Sequence, residues 1–162
     1  MRFDFRIDGF SSEKITLDGD DSTSSIIKLC KRFPAKNITA ILLNGVTFGG
    51  MNIADLDEVA RATGTPVISV VKKRPSIQSM YRVIDLHHGS SDTKRSLLEK
   101  LRPIGIKLAN GKSIYVNLSG TTIEQTAEIL SKQCILNSVP EAIRVSHLIG
   151  SAMRYGISKG RA

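Results

Sequence analysis

The run Ala40-Ile41-Leu42-Leu43, closed by the turn signal Asn44-Gly45, constrains this chain more than any other stretch. Four consecutive apolar residues leave no polar face, so the strand they form must be covered on both sides, as strands of parallel sheets are. An amphipathic segment follows, with Ile53, Leu56, Val59 and Ala60 on one side and Gly64 and Pro66 as its stop. Val67 to Val71 is a second buried run of the same kind. Strand, helix and strand together predict a right-handed parallel β-α-β unit, since a strand returning to the same sheet crosses over with that hand. The basic loop Lys72-Lys73-Arg74-Pro75 leaves its second strand.

The flanking segments complete an α/β reading. Phe3, Phe5 and Ile7 alternate, Asp8-Gly9 turns, and Ile15 and Leu17 alternate again, which predicts an antiparallel hairpin. Asp18-Gly19-Asp20-Asp21 closes it, and Ser22 to Ser25 lead into a helix carrying Ile26, Leu29 and Cys30. Residues 76–103 read as polar helix interrupted by a loop at His87-His88-Gly89-Ser90-Ser91. Ile104, Ile106 and Leu108 alternate up to Asn110-Gly111, and Ile114, Val116 and Leu118 alternate away from it, a strong hairpin signal. Thr121-Thr122-Ile123-Glu124 reads as a capping box. The last helix starts at Pro140, suited to a first helical position, and runs to about Tyr155. With no repeat, linker or low-complexity tract, the 162 residues form one domain, 1–162.

Composition narrows the function classes. No stretch approaches the roughly 20 apolar residues of a membrane span, and the N-terminus has no signal-peptide pattern. A cytoplasmic protein is the simplest reading. Cys30 and Cys134 have neither metal-ligand spacing nor a CxxC redox pattern and read as buried thiols. Lys and Arg exceed Asp and Glu by 23 to 15, a net charge of +8, which favours polyanions such as DNA or RNA without implying sequence specificity. Aromatic residues make up only 5% with no Trp, a poor supply for stacking single-stranded bases.

Three stretches together resemble a known family. They are Asp18-Gly19-Asp20-Asp21 with its helix, the span from Leu42-Leu43-Asn44-Gly45-Val46-Thr47-Phe48-Gly49-Gly50 through Pro66 to Pro75, and Val139-Pro140-Glu141-Ala142-Ile143-Arg144-Val145-Ser146-His147 with the tail Gly156 to Ala162. The chain resembles the archaeal domain-of-unknown-function family 99, whose members are similar to endonuclease V. The resemblance implies a ribonuclease H-like mixed sheet flanked by helices in three layers. It also implies an N-terminal shortening, because the chain begins at the second strand of that fold. The hairpin pairing directly with residues 40–44, an upstream start, or a second subunit are the ways to close the resulting edge.

The resemblance carries a catalytic set that can be audited by position. Endonuclease V enzymes hold Mg²⁺ or Mn²⁺ with acids at strand ends, because these hard cations prefer carboxylate and water oxygen. The first acid lies on the absent strand. Asp20 or Asp21 matches the second, Asn44 stands where the third would be, His147 stands at the fourth, and Thr121 replaces a further histidine. Asp20, Asp21 and His147 are the metal ligands if the site is active, and no cofactor is certain.

Each residue also has a structural reading. The Asp18–Asp21 cluster fits a turn and helix cap, where carboxylates meet free N–H groups. Arg144, His147, Ser151 and Arg154 recur at helical spacing as one polar stripe. Gly45, Gly49 and Gly50 fit a tight loop as well as a close backbone approach. Lys72, Lys73 and Arg74 fit a solvated charge run as well as a phosphate contact. His87-His88 reads as loop. The sequence predicts a degenerate, nucleic-acid-associated protein contacting phosphate through Lys72, Lys73, Arg74 and Arg144. A Mg- or Mn-dependent nuclease acting on deaminated nucleic acid, and an assembly protein pairing sheet edges into a homo-oligomer, are the alternatives.

Overall fold

Parallel pairing of Ile41–Asn44 with Val67–Val71, Ile41 opposite Val67 and Asn44 opposite Val70, is the frame of the computed structural model. It describes residues 1, 6–34, 38–87, 91–108, 111–134 and 138–158. In chain order the first half contains α1 (Ser22–Lys31), β1 (Ile41–Asn44), β2 (Thr47–Phe48), β3 (Asn52–Ile53), α2 (Leu56–Thr63) and β4 (Val67–Val71). The second half contains α3 (Ile77–His87), α4 (Asp92–Glu99), β5 (Ile104–Lys107), β6 (Ser113–Ser119), α5 (Ile123–Gln133) and α6 (Glu141–Tyr155).

The main sheet has the order β1-β4-β6-β5, and β2 and β3 form a small separate ribbon. β6 runs antiparallel to both neighbours, with Val67 opposite Ser119 and Ile104 opposite Val116. Side chains alternate across a strand, so each sheet face builds its own core. Leu43 and Val67 pack with Ile26, Val59, Ile84 and Leu98 of α1 to α4. Ile68, Val70, Ile114 and Val116 pack with Leu130 of α5 and Ile143 of α6. The result is a mixed α/β sheet with helices on both faces, three layers in all. Among the described residues no helix is long and apolar enough to cross a membrane.

Local chemistry explains the crossover. Asp55 caps α2 by accepting from the N–H groups of Asp57 at 3.0 Å and Glu58 at 3.1 Å. Gly64, at φ 63°, ends the helix by donating to Ala60 O at 2.9 Å.

Several elements differ from the sequence expectation. The predicted N-terminal hairpin does not form in its described part: Ile7, Ile15 and Leu17 lie in no strand, while Phe3 and Phe5 lie outside the described residues. Among the described residues of that segment none pairs with residues 40–44, and β4 is the one described strand paired with β1. Without a ladder the alternating apolar residues stay open, Leu17 at 74% and Ile7 at 47% exposure. Ile53 belongs to β3 rather than to α2, because the chain between Asn44 and Leu56 folds back as a ribbon. The capping box of α5 is Thr122 with Gln125, one residue later than expected. Pro140 caps α6 rather than opening it. Asn110 of the turn, His88 to Ser90 and the tail beyond Ser158 lie outside the described residues.

Candidate functional site

β1 and β4 are parallel, so their carboxyl ends share one rim of the sheet. Asn44 is exposed there. Gly45 follows at φ 80°, a left-handed conformation that suits a residue without Cβ, and its N–H donates to Val70 O at 3.1 Å. Lys72, Lys73 and Arg74 leave β4 two to four residues past Val70 and are all exposed. A groove of about 530 Å³ runs from this rim between β1 and α6. Asn44 and Phe48 line one side; His147, Ser151, Arg154 and Tyr155 line the other.

Arg144 is not part of that lining. Its Nε donates to Glu141 Oε2 at 2.7 Å and a terminal nitrogen bonds the other carboxylate oxygen, one turn back on α6. That guanidinium bond holds the Glu141 carboxyl below its ordinary value and the Arg144 guanidinium above its own. The polar stripe expected on α6 is therefore split: His147 and Arg154 face the groove, and Arg144 is committed to an acid.

The acidic cluster is occupied by internal partners. Asp18 adopts φ 55°, donates its N–H to Gly49 O at 2.7 Å and accepts from Met51 N at 2.8 Å through Oδ1. Lys94, on α4 and only 3% exposed, donates to the carbonyls of Asp18 (3.0 Å), Gly19 (2.7 Å) and Met51 (2.8 Å). The same ammonium pairs with Asp20 Oδ1 at 2.9 Å.

Asp21 stands at the cap position of α1 but makes no side-chain cap bond. Its carboxylate accepts from Asn52 Nδ2 at 2.6 Å, and from Thr16 N at 3.1 Å and Thr16 Oγ1 at 2.9 Å. The Asn52 bond, followed by the Thr16 bonds, holds the Asp21 carboxyl below its ordinary value. The cap itself comes from Asn52, whose Oδ1 accepts from Ser22 N at 2.9 Å.

Lys94 and Asn52 escaped sequence reasoning. Both are polar residues whose roles arise across the fold, Lys94 bonding residues 75 and 76 positions away. The one sequence signal is that Lys94 and Leu98 sit four apart on the inner face of α4, where both are buried.

The divalent ion implied by the resemblance does not fit this arrangement. A hard cation needs several converging anionic oxygens. Here Asp20 already faces an ammonium, Asp21 is tied to Asn52 and Thr16, and the groove offers a neutral amide and an imidazole. Among the described residues no group of three or more His, Cys, Asp or Glu side chains is placed to hold a metal ion.

Comparison with known proteins bears on the whole chain. A UPF0215 protein of Thermoplasma volcanium is 36% identical over 154 residues, covering 94% of this chain and 77% of that one. A UPF0215 protein of Thermococcus sibiricus is 34% identical over 151 residues, covering 93% and 76%. The crystal structure of a protein of unknown function from Archaeoglobus fulgidus superposes with a TM-score of 0.76 at 28% identity, over 86% of this chain and 78% of that one. A sequence model described as endonuclease dU matches residues 1–154, nearly the full span of the fold built above. The rim, the lysine-bound acidic loop and the groove, apart from Tyr155 at its end, thus lie within the matched span, and the chain belongs to the endonuclease dU family.

Proposed function

We propose that this chain is a nucleic-acid-associated, catalytically degenerate member of its family, acting in the cytoplasm. It keeps a phosphate-facing basic rim, and among the described residues no set of metal-holding acids is assembled. The reading includes the finer family resemblance, endonuclease V-like and of the domain-of-unknown-function 99 type, with a ribonuclease H-like sheet. One observation carries the degenerate reading: Asp20 is ion-paired to the buried Lys94, while the groove at the β1 rim presents Asn44 and His147. The exposed Lys72, Lys73 and Arg74 beside that groove, with a net charge of +8, support contact with DNA or RNA backbone. Open α/β sheets take ligands at the carboxyl ends of their strands, which is the end that carries this loop. Arg144, held by Glu141, is a weaker phosphate contact than its position in sequence implies.

The test is fluorescence anisotropy with DNA and RNA oligonucleotides across a salt series. Affinity falls steeply with salt, and replacing Lys72, Lys73 and Arg74 together by Ala reduces the log–log slope by roughly 2 to 3, up to 0.9 per lost phosphate contact. Binding that is absent, or insensitive to salt, overturns the reading. Incubation of deoxyuridine- or inosine-containing oligonucleotides with Mg²⁺ or Mn²⁺ leaves them intact. Cleavage lost in both Asp20→Ala and His147→Ala would establish the nuclease instead.

A further inference from the structure

The strand order brings two basic segments, distant in sequence, to one end of the sheet. β6 runs antiparallel to β4, so its first residues lie beside the last residues of β4, with Val71 opposite Tyr115. β5 runs antiparallel to β6, and its last residue, Lys107, is opposite Ser113. The loop that starts at Lys72 and the β5–β6 hairpin therefore leave the same rim. Lys107 and Lys112 are both exposed on that hairpin. Two backbone bonds shape it: Leu108 N–H donates to Lys112 O at 2.8 Å, and Gly111 N–H, at φ 79°, donates to Leu108 O at 2.9 Å.

The segments that meet here carry charge of one sign. Residues 59–84 include Arg61, Lys72, Lys73, Arg74 and Arg82, and residues 100–123 include Lys100, Arg102, Lys107 and Lys112. Neither stretch contains an Asp or Glu, so every acid of the chain lies outside both. Among the described residues no ion pair engages Lys72, Lys73, Arg74 or Lys107. Lys94, Lys100 and Arg144, by contrast, are each paired with a carboxylate. A rim of uncompensated cations concentrates polyanions.

The register sets the spacing of the two groups. Val71, Tyr115 and Gly105 stand in one row across β4, β6 and β5. Lys72 lies one residue beyond that row and Lys107 two residues beyond it. The groups are therefore about two strand spacings apart, roughly 10 Å. One strand of a nucleic-acid duplex advances about 3.4 Å per nucleotide along the axis, so about three steps cover the gap. Tyr115, between them, is half-buried, and a Cβ placed on Gly105 would lie 3.5 Å from its ring. That ring is packed on the sheet instead of being offered to a base.

We infer that Lys107 and Lys112 are a second set of phosphate contacts, engaging the same nucleic-acid backbone as Lys72, Lys73 and Arg74 about three nucleotide steps away. The inference rests on the polyanion reading of the rim and extends it to the β5–β6 hairpin. The backbone crosses the end of the sheet perpendicular to the strands, from the exit of β4 toward β5. Lysines meet phosphate as point charges, so the surface positions a strand without reading its bases.

The experiment measures fluorescence anisotropy with a labelled DNA duplex and a labelled RNA strand across a salt series. Lys107→Ala combined with Lys112→Ala lowers the log–log slope by roughly 1 to 2, at up to 0.9 per lost phosphate contact. Arg61→Ala combined with Arg102→Ala removes two charges from the opposite end of the sheet, before β4 and β5 begin, and leaves the slope unchanged. All four side chains are exposed, so both variants keep the fold. An unchanged slope in the Lys107 and Lys112 variant, with the Lys72, Lys73 and Arg74 variant still lowering it, overturns the inference and leaves the polyanion reading standing. An equal drop in the Arg61 and Arg102 variant reduces the effect to net charge and overturns it too. Absence of salt-dependent binding by the unaltered chain removes both.

Discussion

The ammonium of Lys94 lies 2.9 Å from a carboxylate oxygen of Asp20, and the lysine is the buried member of the pair, 4% exposed against 69%. Three backbone carbonyls complete its donors' partners, so one cation from α4 ties the loop before α1 to the turn between β2 and β3. A charge this deep is tolerated because every donor is engaged.

Lys94→Met tests that tie. The substitution keeps the chain length of the side chain but leaves the carbonyls of Asp18, Gly19 and Met51 without their donor. Breaking a buried charged network costs about 3–5 kcal/mol. The unfolding midpoint in urea should fall accordingly, and a loss below about 1 kcal/mol would show that the loop is held by other contacts.

Acid stability follows from Asp21. Its carboxyl titrates below the ordinary 3.8 in the folded chain, through the Asn52 bond first and the Thr16 bonds after it. A depressed carboxylate contributes stability in full above its unfolded value and loses it as pH falls through the folded one. Asp55 adds in the same direction: burial pushes its carboxyl up, but the Lys100 bond and the Glu58 and Asp57 N–H groups bring it below 3.8 overall. Thermal melts from about pH 5 to pH 2 should therefore show a decline that is shallower in Asp21→Asn. Identical slopes in the two proteins would remove Asp21 from the account.

Two glycines should respond to alanine with opposite signs. Gly50 has φ 85°, and a Cβ there would lie 2.1 Å from Asp18 Oδ1, so Gly50→Ala both strains the backbone and expels a ligand of Met51 N–H. A loss of about 1–3 kcal/mol is expected from the strained conformation. Gly150 is helical with open space at its Cβ, so Gly150→Ala should gain roughly 0.5–1 kcal/mol. Chemical denaturation of both variants reads the difference directly.

The cysteines should be slow to alkylate. Burial pushes the Cys134 thiol up to about 11 and raises that of Cys30 as well. At pH 8 only about one Cys134 in a thousand carries the reactive thiolate. Native labelling with iodoacetamide should be slow at both positions and become rapid in denaturant. Fast native labelling of Cys134 would contradict its packing against the α5 and α6 side of the core.

Elements whose signal is local were legible before any coordinates. The apolar runs at 41–44 and 67–71 became the parallel pair, and the alternating residues around Gly111 became β5 and β6. The N-terminal alternation was equally clear as a pattern, yet Ile7, Ile15 and Leu17 form no strand. Period-two patterning states which face would be buried, not whether a neighbour exists to bury it. The site shows the same division. Asn44 and His147, 103 positions apart, do line one groove, whereas Arg144 turns to Glu141.

By itself the sequence determined the parallel strand pair and its crossover helix, the β5–β6 hairpin, the basic loop at the crossover's exit and the last two helices, because hydrophobic period, caps and turn residues act within a few positions. Tertiary structure alone decided that Asn52 would cap α1, that Lys94 would pair with Asp20, and that the carboxylates of Asp18 and Asp21 would be taken by Met51 N–H and by Asn52 and Thr16. Those outcomes depend on which distant groups meet, and a buried polar group takes whichever partner the packing brings within reach.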